Sequence, residues 1–172
     1  MKILVISYSL TGNNEALAKS IAKELAAEHI KVTEPKPRTT GTIILDTIFN
    51  RTPQVEPPAV ELGNKDLIIF VGPVWLGQVA TPLRAYLKRS NDRSTQYAFV
   101  SISGGALGLN PKLAGELKKR VGKEPAALIN LFIADLLPPS PKPTSKETSA
   151  YRLNDKDIKN LTKTVILGLK KL

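Results

Sequence analysis

Ile3-Leu4-Val5-Ile6-Ser7-Tyr8-Ser9-Leu10-Thr11-Gly12-Asn13-Asn14 is the stretch whose reading settles the fold class. Its first four residues form an unbroken β-branched and leucine run, the pattern of a central parallel strand covered on both faces. A polar loop follows at once. From residue 13 to residue 28, Leu17, Ile21 and Leu25 recur every four residues with Ala18 and Ala22 beside them, while Glu15, Lys19, Lys23 and Glu24 fall on the other side. That spacing predicts an amphipathic helix.

The same alternation continues outward. Val32 lies in a short second strand. Pro35, Pro37, Pro53, Pro57 and Pro58 then mark a long irregular connection, interrupted by Ile43, Ile44, Leu45, Ile48 and Phe49, an apolar island expected to form a short helix packed on the domain. Asp66 to Val71 reads as another buried strand, Gly72 to Gln78 as a loop and Thr81 to Lys88 as a helix. Tyr97 to Ile102 is the next strand, Ser103 to Leu109 a glycine-rich loop, Pro111 to Val121 a helix with Lys112, Lys118, Lys119 and Arg120 on its wet side, and Ala127 to Ile133 the last strand. The run Pro138-Pro139-Ser140-Pro141-Lys142-Pro143 continues neither helix nor sheet. A final helix, capped near Asn154 or Asp155, carries Ile158, Leu161, Val165 and Leu169 on one face. Strands alternating with helices at this spacing predict an α/β fold, a doubly wound five-stranded parallel sheet with helices on both faces. Residues 1–172 are read as one domain, with an irregular insertion at 34–60 and a proline-rich loop at 138–150.

Composition narrows the function classes. The 172 residues have 42% hydrophobic and 23% charged side chains, which suits a soluble chain with a core and excludes disorder as the overall state. No apolar run approaches the roughly 20 residues of a transmembrane helix, and Met1-Lys2-Ile3-Leu4-Val5 runs into polar residues by Ser7 with no small-residue cleavage site. A cytoplasmic location without membrane contact is therefore expected. The absence of cysteine removes disulfides, thiolate metal sites, iron–sulfur clusters and cysteine nucleophiles, and the single histidine, His29, leaves no His-rich metal site. The net charge of +10 suits nucleic acid, an anionic surface or an acidic protein. Because the cations are spread along the chain and aromatics are limited to one Trp, four Tyr and four Phe, nucleic acid is not the expected partner.

In open α/β sheets ligands sit outside the carboxyl ends of the strands, where strand order reverses, so the loops after the first, third and fourth strands are taken together. In the first, Ser9, Thr11, Asn13 and Asn14 offer hydroxyl and amide donors, Gly12 permits a tight turn, and the helix start adds free N–H groups and the positive end of its dipole. No Lys or Arg lies between Lys2 and Lys19. The Gly-Lys-Ser/Thr ending of a triphosphate loop and the three spaced glycines of a dinucleotide fingerprint are both absent. What is left is a neutral cradle for one phosphate monoester, or else a plain helix cap made by Thr11 or Asn13.

Ser9-x-Thr11-Gly12-Asn13 after the first strand, together with Gly72-Pro73-Val74-Trp75-x-x-Gln78 after the third, resembles the flavodoxin-like flavoproteins, whose ligand is FMN. Loop order, strand count and length agree over most of the chain. The resemblance implies strand order 2-1-3-4-5, with Ser9, Thr11, Gly12, Asn13 and Asn14 holding the FMN phosphate. It also implies that Pro73, Val74, Trp75, Leu76 and Gly77 line the isoalloxazine, that Gly77 offers a backbone group to its N5, and that Ser103, Gly104 and Gly105, with Ala106 to Gly108 after them, meet its pyrimidine edge. Asn14 stands where the family usually has a second Thr. The loop from Ser103 lacks the aromatic that covers the outer flavin face in electron-carrier flavodoxins, and those carriers are acidic where this chain is basic. The open outer face and the 34–60 insertion look more like the NAD(P)H-dependent flavin and quinone reductases of the superfamily, with NAD(P)H as electron donor and a small-molecule acceptor. The alternatives are a non-enzymatic carrier that docks an acidic redox protein, and a cofactor-free interaction module.

No residue is singled out as catalytic, and no metal site is expected. His29 falls at the end of the first predicted helix, as a surface residue near its dipole. Tyr8 is expected to pack. Arg38 and Arg51 flank the apolar island as solvated charges or as a clamp for an anionic substrate. Asp135 follows the last strand without a basic neighbour in its loop, and Lys156, Lys159, Lys163, Lys170 and Lys171 form a solvated helix face. The island at Ile43 to Phe49 is also a candidate homodimer surface.

Overall fold

All five residues of Leu67–Val71 are buried, and this strand lies at the centre of the sheet. The computed structural model describes residues 1–36, 38–59, 62, 64–91, 95–105 and 110–170. In chain order the elements are β1 (Ile3–Ser7), α1 (Asn13–Glu24), β2 (Glu28–Lys31), α2 (Thr40–Ile48), β3 (Leu67–Val71), β4 (Val74–Trp75), β5 (Gln78–Val79), α3 (Arg84–Arg89), β6 (Gln96–Ser103), α4 (Leu113–Val121), β7 (Ala127–Phe132), α5 (Ser145–Ala150) and α6 (Asp155–Leu169). The main sheet runs β2-β1-β3-β6-β7 with every neighbouring pair parallel. Counting only its five members in chain order, this is 2-1-3-4-5, as expected. No helix among the described residues is long and apolar enough to cross a membrane.

Successive strand residues point to opposite faces, so each central strand feeds two cores. Val5, Leu67, Ile69, Val71, Ala98 and Val100 meet Leu17, Ile21 and Val165 from α1 and α6. Leu4, Ile6, Ile68, Phe70, Tyr97 and Phe99 meet Leu83, Tyr86, Leu87, Leu113 and Leu117 on the other side. Continuous apolar strand runs follow directly from this double coverage.

Several local readings change. α1 ends at Glu24, not 28, because Ala26 takes a left-handed conformation (φ 48°) and turns the chain into β2; nothing in Leu25-Ala26-Ala27-Glu28 signals a stop. His29 therefore sits on β2, half-buried opposite Val5, with its Nε2 2.8 Å from the Ser7 hydroxyl. The expected loop 72–78 contains the β4–β5 hairpin, and the proline-rich loop contains α5, which starts with a capping box between Thr144 and Glu147. The apolar island does form a helix, α2, also opened by a capping box, Thr39 with Thr42. Its apolar side does not pack on the core as expected: Ile44, Leu45, Ile48 and Phe49 are all exposed, and Thr47 is its one buried residue.

Burial holds the His29 imidazole below its ordinary pKa of 6.5. The unfolded chain takes up this proton at a higher pH than the folded one, so stability rises with pH across the interval below about 6.5 and levels off above it. Urea midpoints of the wild type and of His29→Gln, compared between about pH 5 and pH 8, should diverge toward acid, with the wild type losing more. Parallel pH profiles would show that this imidazole contributes nothing.

Candidate functional site

Where the sheet order reverses, the carboxyl ends of β1 and β3 lie side by side, with Ser7 paired to Val71 and the Tyr8 N–H donating to the Val71 carbonyl at 3.0 Å. β6 ends just beyond them, with the Gly72 N–H donating to the Val100 carbonyl at 3.1 Å. The three loops singled out from sequence thus leave one edge of the sheet.

In the first loop, the Gly12 N–H donates to Ser9 Oγ at 3.0 Å, which leaves the Ser9 hydroxyl proton for an outside acceptor. Gly12 has φ +92° and open space where a side chain would project, so the helix start is unobstructed. The exposed Thr11 hydroxyl and the N–H groups of Asn13 and Asn14 have no partner among the described residues, as expected for a first helical turn. The side chains of the two asparagines behave otherwise. Asn14 donates from Nδ2 to the Ile102 carbonyl and accepts from the Ile102 N–H, both at 3.0 Å. Asn13 donates to the Tyr151 carbonyl at 3.0 Å and accepts from the Leu153 N–H at 3.1 Å. The expectation that these carboxamides donate to an anion is corrected: both brace backbone, and what they leave for a ligand is main chain.

The second loop is a two-residue hairpin turn. Trp75 pairs with Gln78, and Leu76 and Gly77 both have positive φ (48° and 81°), the type I′ pattern that matches strand twist. Leu76 is an unusual occupant of such a turn, being apolar and 67% exposed. The Gly77 carbonyl accepts from Asn110 Nδ2 at 2.5 Å, so one of its lone pairs is already engaged. Trp75 is half-buried and fixed from two directions. Tyr8 meets it at right angles with ring centroids 5.7 Å apart, and the Arg38 guanidinium carbon lies 5.6 Å from its ring centroid.

Behind Trp75, Arg38 donates from Nε to Glu34 at 2.8 Å, from Nη2 to the same carboxylate, and from Nη1 to Asp46 at 2.8 Å. Its side chain is only 4% exposed, so it is neither a solvated charge nor a free clamp. Hydrogen bonding to Glu34 raises its pKa further above the ordinary arginine value. Tyr8 packs as expected and donates to Glu34 at 2.8 Å; burial, then that carboxylate, raises its pKa. Arg51 remains exposed, with its guanidinium over Phe49. Asp135 and Lys156, Lys159, Lys163 and Lys170 are exposed; Lys171 lies outside the described residues.

In the third loop, Ser103 pairs with Phe132, and the Gly104 carbonyl accepts from the Ala134 N–H at 3.1 Å. A side chain on Gly105 (φ +83°) would lie 2.6 Å from Phe132 Cβ, and one on Gly104 would lie 2.8 Å from Thr148 Oγ1. Packing against β7 and α5 is therefore sufficient reason for both glycines. Ala106, Leu107, Gly108 and Leu109 lie outside the described residues. Sequence reasoning missed Glu34 and Asn110, which have no local pattern and gain their places only through tertiary contact; Gln78 was quoted in the second motif, but not its bonds to Arg84 and Arg120.

No family model and no curated protein matches the chain. Solved structures do match its fold. A Lactobacillus acidophilus NCFM flavoprotein in complex with FMN aligns with TM-score 0.62 and 24% identity over 75% of this chain and 92% of its own. A Bacteroides eggerthii DSM 20697 protein aligns with TM-score 0.65 and 14% identity over 96% and 98%. A Bacteroides uniformis ATCC 8492 protein gives 0.63 and 14% over 86% and 95%. The fold is flavodoxin-like.

Replacing Asn14 by Ala would strand the buried N–H and C=O of Ile102 together. At about 1–3 kcal/mol per unsatisfied group, Asn14→Ala should lower urea unfolding stability by about 2–4 kcal/mol. A loss below about 1 kcal/mol would show that water or backbone movement replaces the carboxamide.

Proposed function

We propose that this chain binds FMN non-covalently and transfers electrons through it, as an NAD(P)H-dependent reductase of a small acceptor. The observation that carries the cofactor is the first loop: an open, lysine-free helix start whose Thr11 hydroxyl and Asn13 and Asn14 N–H groups have no partner among the described residues and whose Ser9 hydroxyl accepts from Gly12, leaving its proton to donate. This donor set fits a phosphate monoester held by oriented dipoles. The FMN complex of the Lactobacillus flavoprotein, which shares the fold, supports the same ligand.

When bound, FMN would supply hydride and electron exchange at its ring; the protein's task is to hold and tune it. Ser9, Thr11, Gly12, Asn13 and Asn14 hold the phosphate, the asparagines through backbone N–H. Pro73, Val74, Trp75, Leu76 and Gly77 line the ring, with Trp75 set in advance by Tyr8 and Arg38 so that little ordering remains on binding. Ser103, Gly104 and Gly105 present backbone to the far edge. The absence of any aromatic from Ser103 to Gly108 supports an outer face open to a hydride donor. The net charge of +10 favours, as a second reading, a carrier that docks an acidic redox protein.

Titration of purified protein should show FMN binding, with riboflavin about a hundredfold weaker because the phosphate contacts are lost. Trp75→Ala should weaken FMN about tenfold and Trp75→Phe less. Absence of FMN binding would refute the reading. Rapid loss of the oxidised-flavin absorbance on adding NADPH supports the reductase, whereas loss only through a partner reductase supports the carrier.

A further inference from the structure

A second cleft, of about 940 Å³, opens between the end of α2, the β4–β5 turn, α3 and α4. Its volume is that of a small-molecule site. Five cations line it, Arg84, Lys88, Lys112, Lys119 and Arg120, against one carboxylate, Glu116. Glu116 is already engaged by Arg120 Nε. Lys88, Lys112 and Lys119 are exposed and make no ion pair among the described residues.

Arg84 is the unusual member. It is 3% exposed, yet no carboxylate pairs with it among the described residues. Its contacts are neutral: Nη1 donates to the carbonyls of Asp46 (3.3 Å) and Arg51 (3.0 Å), and Nη2 to Gln78 Oε1 (2.9 Å). Its buried Nε–H has no acceptor among the described residues. Burial, reinforced by nearby Arg120, lowers its pKa to about 10. Arg38, whose side chain is also largely covered, holds two carboxylates. The contrast matters because an unpaired buried charge is costly where a paired one is tolerated.

Gln78 Oε1 also accepts from Arg120 Nη2 at 3.1 Å, so one amide oxygen holds both guanidinium groups together beside the cleft. At its rim Ile48 and Leu76 are 65% and 67% exposed. Cations inside and apolar side chains at the mouth define an amphipathic ligand.

We propose that this cleft binds an organic phosphate dianion with an apolar body, its phosphate on Arg120, Lys119 and Lys88 and its body against Ile48 and Leu76. The anion supplies the counter-charge that Arg84 lacks. Because Nε is closed to solvent, it meets a phosphate oxygen only if the guanidinium turns; compensation across Gln78 does not require that turn. Its cations lie apart from the proposed phosphate cradle and do not depend on it, while Leu76 and Gly77 of the β4–β5 turn border both this cleft and the proposed ring site.

The test uses 1-naphthyl phosphate, with 1-naphthol and inorganic phosphate as partial probes, titrated calorimetrically into the protein alone and into the protein with saturating FMN. Naphthyl phosphate should bind in both cases, each partial probe at least about tenfold more weakly. Lys88→Gln/Lys119→Gln, on exposed positions, should weaken naphthyl phosphate about tenfold or more and leave FMN affinity unchanged. Arg84→Met should also weaken it if the variant folds; the lysine pair decides the matter if it does not. No binding of naphthyl phosphate, equal binding of naphthol, insensitivity to the lysine pair, or displacement by FMN would each overturn the proposal. Failure of FMN to bind at all is read separately, from the flavin titration, and leaves this site standing.

Discussion

Strand β6 runs on to Ser103, while its neighbour β3 stops at Val71, opposite Val100. The overhang leaves the Ile102 N–H and C=O facing a missing strand, and unpaired backbone cannot stay buried. The Asn14 carboxamide fills both valences as a further residue of β3 would. By doing so it ties the first turn of α1 to the carboxyl edge of the sheet, and Asn13 ties the same turn to the segment before α6. The position of the proposed phosphate cradle is thus set by two side chains that do not line it.

This arrangement explains what could be read from sequence and what could not. The strands at Ile3, Leu67 and Tyr97 were legible because a central parallel strand needs apolar residues on both faces, and α6 because its Ile158, Leu161, Val165 and Leu169 stripe keeps one period. The end of α1 was not, since Ala26 adopts positive φ without the glycine that usually announces it. The direction of Asn13 and Asn14 was beyond local reasoning as well. A carboxamide at a helix start can face a ligand or the sheet, and only the uneven strand lengths decide. Gly104 and Gly105 show the converse: their glycine signal is real, but its sufficient cause is the Phe132 and Thr148 side chains lying against them.

Two arginines, Arg38 within the long connection and Arg84 in α3, hold it around the end of α2 and differ in how their charge is met. Arg38 is held by Glu34 and Asp46 and lies over Trp75, so it fixes an aromatic ring as well as a helix. Arg84 rests on carbonyls near the end of α2, where the helix dipole is negative, and on Gln78. Neither assignment follows from arginine spacing in the sequence, because each depends on which oxygen atoms the fold brings within reach.

The attachment of α2 has a further consequence. Its apolar side faces outward, and the connection around it is fastened by Arg38, by Arg84, by the Thr33–Glu56 bridge and by the Tyr86 hydroxyl on the Pro57 carbonyl. Val55 and Leu62 anchor the later part of the connection in the core, whereas α2 buries only Thr47; polar clasps release little heat capacity when they part, unlike apolar layers, and a helix so held can open as a unit while both cores stay closed. Native-state amide exchange in this region would then follow its own, shallower denaturant dependence, and proteolytic nicking would begin there before the sheet yields.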